Sequence, residues 1–150
     1  MYNIVNTFIN NPNFTSMEGI FASVNSITGT AICGNNVKNF SKAYQQAYNI
    51  TSAVCGPNVT DMSNTYDRCS NLTGNAVCGD NVINMAYCYN NCRKLTGNPV
   101  CGPNVVNMAN TYVNCSNLTG IPICGDKVTN MYSTYFNCTN LTGSPVCGPN

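Results

Sequence analysis

A period of 23 residues runs through this chain and limits what it can fold into more than any other feature. Cys-Gly pairs begin at Cys33, Cys55, Cys78, Cys101, Cys124 and Cys147, at steps of 22, 23, 23, 23 and 23. A second cysteine column, Cys69, Cys92, Cys115 and Cys138, keeps the same step of 23. The phrases RCSNLTGNAVCG, NCSNLTGIPICG and NCTNLTGSPVCG are near copies of one another. A globular enzyme has no cause to repeat itself in this way. A stack of turns does, because every turn meets the same packing problem.

The register covers nearly the whole chain. With the recurring leucine or isoleucine as position zero, one column is Ile4, Ile27, Ile50, Leu72, Leu95, Leu118 and Leu141. Position 5 is aliphatic: Ile9, Ile32, Val54, Val77, Val100, Ile123 and Val146. The one short step is a deletion between Ile50 and Val54. Residues 1–150 therefore read as a single repeat domain, with six full copies from about residue 4 and the start of a seventh. The copies begin at once and stop within a turn, which leads us to expect a portion of a longer repeat protein, or ends covered by partner chains.

Within one copy, the apolar positions are 0, 5, 10, 13, 17 and 20. The last four are spaced 3, 4 and 3, as on one face of a helix. The expected core is thus Leu72, Leu95 and Leu118; Val77, Val100 and Ile123; Val82, Val105 and Val128; Met85, Met108 and Met131; Tyr89, Tyr112 and Tyr135; and Cys69, Cys92, Cys115 and Cys138. Asparagine is a poor interior helix former, so the helical half is expected to be short or irregular. The other half, as in Pro99-Val100-Cys101, has room for a short strand closed by Gly102 and Pro103. Strands of neighbouring copies would pair in parallel about 4.8 Å apart. Helices about 10 Å across cannot stack that closely, so the helical side must splay or flatten into tighter turns. The expected architecture is a curved, right-handed α/β solenoid of leucine-rich-repeat type, with one short parallel strand and one short helical or irregular segment per turn.

The phrase N-V-T-x-M-x-x-x-aromatic-x-x-C-x-x-L carries a family resemblance. It stands as NVTDMSNTYDRCSNL (58–72) and, with small changes, as NVINMAYCYNNCRKL (81–95) and KVTNMYSTYFNCTNL (127–141). These segments resemble the BspA-like leucine-rich repeats of bacterial surface proteins, and similar repeats occur in phage fibre proteins. Here the strand half is shorter than in that family, and its Cys-Gly pair is a departure. The resemblance implies a surface-displayed recognition or adhesion protein, extracellular or on a virion. Its partner would be a protein or glycan on a cell surface, or copies of the chain itself end to end. No catalytic residues come with the resemblance.

Composition narrows the function further. Only 7% of residues are charged and the net charge is +1, so no electrostatic footprint for nucleic acid is present. No apolar run approaches the roughly 18 residues of a membrane span, so membrane insertion is not expected. The opening MYNIVNTFIN lacks the basic and apolar stretches of a secretion signal. There is no histidine, no CxxC pair and no glycine-rich phosphate loop, and Glu18, Asp61, Asp67, Asp80 and Asp126 are scattered. We therefore expect no enzyme, no cofactor and no metal site.

The eleven cysteines invite disulfide, metal or packing readings. Parallel register holds neighbouring Cβ atoms near 4.8 Å, beyond the usual disulfide range of about 3.5–4.5 Å, and each thiol has two equivalent neighbours. Reduced packing residues are the favoured reading, and Val24 and Ala47 at position 20 agree with a small core residue. Which way the Cys-Gly cysteines point is left open. Cys88, four residues before Cys92, stands where other copies have threonine and reads as a substitution at an exposed or half-buried spot. The tyrosine column reads as core packing rather than a ligand platform. The asparagine columns at positions 9 and 12 can satisfy backbone groups at the corners of each turn. The many N-x-S/T triplets follow from that same composition. The leading function is recognition or adhesion through the repeat surface. The rival is a structural spacer or self-assembling fibre subunit, and non-repeating exposed residues would separate the two.

Overall fold

The computed structural model describes residues 11–146. Ile4, Ile9 and Cys147 lie outside that range. Two short strands are present, β1 (Gly29–Thr30) and β2 (Ile50–Ser52), paired in parallel with Gly29 opposite Ile50. Single parallel bridges join position 12 of successive copies, from Ser16 to Asn39 and on through Asp61, Asn84, Asn107 and Asn130. Among the described residues there is no helix. Of the two forms expected for that half, short helix or irregular segment, the described residues take the second: it is built from tight turns.

The hydrogen bonds show why. In the copy centred on Met85, the amides of Cys88, Asn90 and Cys92 donate to carbonyls three residues back, on Met85, Tyr87 and Tyr89. The amides between them, on Met85, Tyr87, Tyr89 and Asn91, donate to Asn107, Ala109, Thr111 and Val113 of the next copy at 2.8 to 3.0 Å. Alternate amides thus close turns and bind neighbours. The next copy does the same, with Met108, Asn110, Tyr112 and Asn114 donating to Asn130, Tyr132, Thr134 and Phe136. A helix would turn every amide inward and hold copies about 10 Å apart. Consecutive four-residue turns also bring positions 13 and 17 to one side, so the 3-4-3 apolar spacing fits both structures. The turns alone allow strand-like stacking.

These turns demand a left-handed third residue. Asn64 and Arg68, Tyr87 and Asn91, Asn110 and Asn114, and Ser133 and Asn137 all have φ between 52° and 62°. A positive φ at the third position alone marks a type II turn. Asparagine tolerates it better than most residues, which explains part of the asparagine excess. Position 12 opens the run. The side-chain oxygens of Asn84 and Asn107 each accept the amide two residues on, from Ala86 and Ala109, both at 3.1 Å. Asp61 does the same for Ser63 at 2.8 Å. These are Asx turns, in which a side chain stands in for a backbone carbonyl.

The core fills the middle of the stack. Leu72, Leu95, Leu118, Val82, Val105, Met85, Met108, Tyr89, Tyr112, Cys69, Cys92 and Cys115 are all fully buried. Val128, Tyr135 and Cys138, in the last described copy, pack against the core but are partly open, and Met131 there is half-buried. Position 5 departs from expectation. Val77 and Val100 are half-buried, and Ile123 is 62% exposed. The preceding residues, Ala76, Pro99 and Pro122, are buried instead. At position 5 it is the peptide group that faces inward, for a reason that lies in the tyrosines.

Candidate functional site

Each interior tyrosine reaches across its own turn. The Tyr89 hydroxyl accepts the Val77 amide at 3.0 Å and donates to the Val77 carbonyl at 2.8 Å. Tyr112 grips Val100 in the same way at 3.2 and 2.8 Å, Tyr66 grips Val54 at 2.9 and 2.6 Å, and Tyr44 grips Ile32 at 2.8 and 3.0 Å. The rings of Tyr44, Tyr66, Tyr89, Tyr112 and Tyr135 stack with centroids 5.5 to 5.9 Å apart. Burial pushes the phenols of Tyr66, Tyr89 and Tyr112 well above their ordinary range. With both faces and the hydroxyl engaged, this column holds the fold and offers no ligand platform.

The position-20 cysteines are equally committed. The thiols of Cys69, Cys92, Cys115 and Cys138 donate to the carbonyls of Tyr44, Tyr66, Tyr89 and Tyr112 at 3.1, 3.0, 3.0 and 2.9 Å. Burial pushes Cys69 up to about 12 and Cys92 well above the thiol range. They are poor nucleophiles, since the thiolate is the reactive form. Cys88 is fully buried, which corrects the reading of an exposed or half-buried substitution. It takes the place of threonines such as Thr111, whose hydroxyl lies 2.8 Å from both the Met85 and Met108 carbonyl oxygens and donates to one at a time. A small side chain with one donor suits that slot, and cysteine supplies both.

The Cys-Gly column forms a seam along the stack. Cys33, Cys55, Cys78 and Cys101 are half-buried. Each thiol packs on the glycine of the next copy. A Cβ added at Gly79 would lie 2.9 Å from Cys55 Sγ, and one at Gly102 would lie 2.9 Å from Cys78 Sγ and 2.8 Å from the Gly79 carbonyl oxygen. The glycine is therefore required by the sulfur of the copy before it. The Gly125 amide donates to Cys101 Sγ at 3.3 Å. Gly56, Gly79 and Gly102 lie against the sulfurs of Cys33, Cys55 and Cys78 in the same arrangement.

On the outer surface a shallow groove crosses several copies, lined by Lys38, Asn58, Thr60, Asn81, Ile83 and Asn104. Its asparagines are fixed by the stack: the side-chain amides of Asn58, Asn81 and Asn104 donate to the Asn35, Pro57 and Asp80 carbonyls at 2.8 to 2.9 Å. Between them, position 11 changes from copy to copy: Lys38, Thr60, Ile83, Val106 and Thr129. Ile83 is 49% exposed and Val106 is 36% exposed. Reading for invariant columns passed over this position, whose signal is variation within a conserved frame. Among the described residues, no group of three or more Cys, Asp or Glu side chains is placed to hold a metal ion. Among the described residues no helix is long and apolar enough to cross a membrane. Searches of protein families, curated proteins and solved structures found no match to the chain.

Proposed function

We propose that the chain is a leucine-rich-repeat-like solenoid acting as a non-enzymatic recognition or adhesion protein on a cell surface or virion. The groove face would contact a protein or glycan there. The observation that carries this reading is the contrast at neighbouring positions. Inward positions 13 and 17 keep methionine and tyrosine in copy after copy, whereas outward position 11 runs through lysine, threonine, isoleucine and valine. Packing requires the first uniformity; nothing in the stack requires the second variety, and a binding face needs it. The resemblance to bacterial surface repeats points the same way.

The test is binding of the full chain to glycan arrays and to whole bacterial and animal cells. The variants Lys38→Glu and Ile83→Asp are expected to lower binding about tenfold or more while leaving the melting temperature nearly unchanged. Binding that survives both substitutions overturns the placement of the site.

A structural spacer or fibre subunit is the second reading, and the asparagine ladders favour it. Asn137 donates to Asn114 at 2.9 Å and Asn114 to Asn91 at 2.8 Å, a self-complementary row that needs no ligand. Filaments seen by electron microscopy, with no ligand on any array or cell, would favour this reading.

A further inference from the structure

We propose that the Cys-Gly seam is a row of two-coordinate binding sites for a soft monovalent cation, copper(I) in particular, each ion held between the thiolates of neighbouring copies. Four successive thiols share one orientation. The sulfurs of Cys33, Cys55, Cys78 and Cys101 each lie 3.5 to 3.6 Å from the carbonyl oxygen of the glycine that follows them. Equal surroundings in a parallel stack place neighbouring sulfurs one copy apart, about 4.8 Å. That is far longer than a disulfide bond of about 2.05 Å, and all described cysteines are free. It matches two metal–thiolate bonds laid end to end, each about 2.3 Å.

The chemistry selects the ion. Thiolates prefer soft ions such as copper(I). A linear two-sulfur site needs no third ligand, which suits a chain without histidine and without a larger ligand cluster among its described residues. The seam also has an outer shell at Cys101, whose sulfur accepts the Gly125 amide at 3.3 Å, and such a bond stabilises a metal-bound thiolate. Half-burial leaves these thiols within reach of a small ion. The position-20 thiols of Cys69, Cys92 and Cys115 are sealed in the core and carry no such site.

Binding replaces two S–H protons with one Cu⁺, giving an S–Cu–S unit of charge −1 and releasing two protons. Copper stays in the +1 state and nothing is oxidised or reduced. Burial keeps these thiols protonated, with Cys78 pushed up to about 12, so protons compete and affinity rises with pH.

The experiment is anaerobic titration of the reduced full chain with copper(I) against bicinchoninate, with X-ray absorption at the copper edge. Two sulfur ligands per copper are expected. The variant Cys55→Ala/Cys101→Ala/Cys147→Ala leaves no two seam cysteines in adjacent copies. The variant Cys33→Ala/Cys55→Ala/Cys147→Ala removes as many thiols but keeps Cys78, Cys101 and Cys124 in adjacent copies. The first is expected to bind about tenfold or more weakly than the second. If an alanine variant does not fold, serine versions serve the same comparison, and absorption on the unaltered chain stands without either. Equal affinity of the two variants, three or more ligands per copper, or no copper taken from bicinchoninate would each overturn the proposal.

Discussion

From position 10 to position 20, backbone and side chains repeat together. From position 0 to position 8, they repeat only in part. In the first half every interior copy sends four amides to the next, closes its own turns, and buries a valine, a methionine or phenylalanine, a tyrosine and, from Cys69 onward, a cysteine. In the second half, strand pairing is confined to β1 with β2 and to single bridges such as Asn75 with Thr96 and Ile123 with Val146. The valines there are half-buried, and the tyrosines of the other half hold the peptide groups in place. The half expected to be a short helical or irregular segment is thus the more regularly bonded scaffold, and the expected strand half leans on it. The half that sends four amides from each interior copy to the next sets the spacing for both.

The largest test of this asymmetry is a buried charge. Met108→Asp places a carboxylate where exposure is zero and no partner stands, and cooperative folding should be lost around it. Val100→Asp, in the other half, should leave a folded protein with a lowered melting temperature. Equal damage from the two, followed by circular dichroism and thermal melts, would break the comparison.

Next in size is the response to alkali. Thiols held protonated by burial have folded pKa values above their unfolded ones, as for Cys69 and Cys78, both pushed up to about 12 from 9.0. The stability they contribute is complete below pH 9 and is lost as pH rises from there toward 12. Denaturant midpoints should be flat with respect to these thiols from pH 7 to 9 and then fall. Replacing Cys69 by Ala should make that fall shallower.

The link between the halves is tested by Tyr112→Phe. It strips the hydroxyl from a buried site and leaves the Val100 amide and carbonyl without their partner, a loss of about 1–3 kcal/mol in urea unfolding. Hydrogen exchange should quicken at Val100 more than at Met108. Exchange unchanged at Val100 would mean that the strand half stands without the tyrosine.

The smallest effect is a gain. Tyr87 sits at φ 59° in a place that is Asn64 or Asn110 in neighbouring copies, and its side chain is 41% exposed. Tyr87→Asn relieves the left-handed strain and should stabilise the protein by about 0.5–1 kcal/mol. Loss of stability instead would show that the ring's contacts outweigh the backbone.

The repeat length, its register and the inward columns at positions 0, 10, 13, 17 and 20 were legible in the residues alone, because each copy must bury the same faces. Met85 and Met108 could be placed inside without coordinates. The secondary structure of that segment could not. Apolar residues spaced 3, 4 and 3 satisfy a helix and a pair of type II turns equally, and only contact with a neighbouring copy decides between them. Asparagine at Asn110 and Asn114 hinted at left-handed turns, but Arg68 and Tyr87 at the equivalent positions hid the hint. The sequence likewise could not show that Val100 turns its peptide inward, since that depends on the reach of Tyr112 from twelve residues away. The role of glycine after each seam cysteine was out of view for the same reason: the sulfur that forbids a side chain at Gly102 belongs to Cys78, in the copy before. A sequence specifies which faces must be buried. How the chain closes over them is set by contacts between copies, and these exist only once the stack has formed.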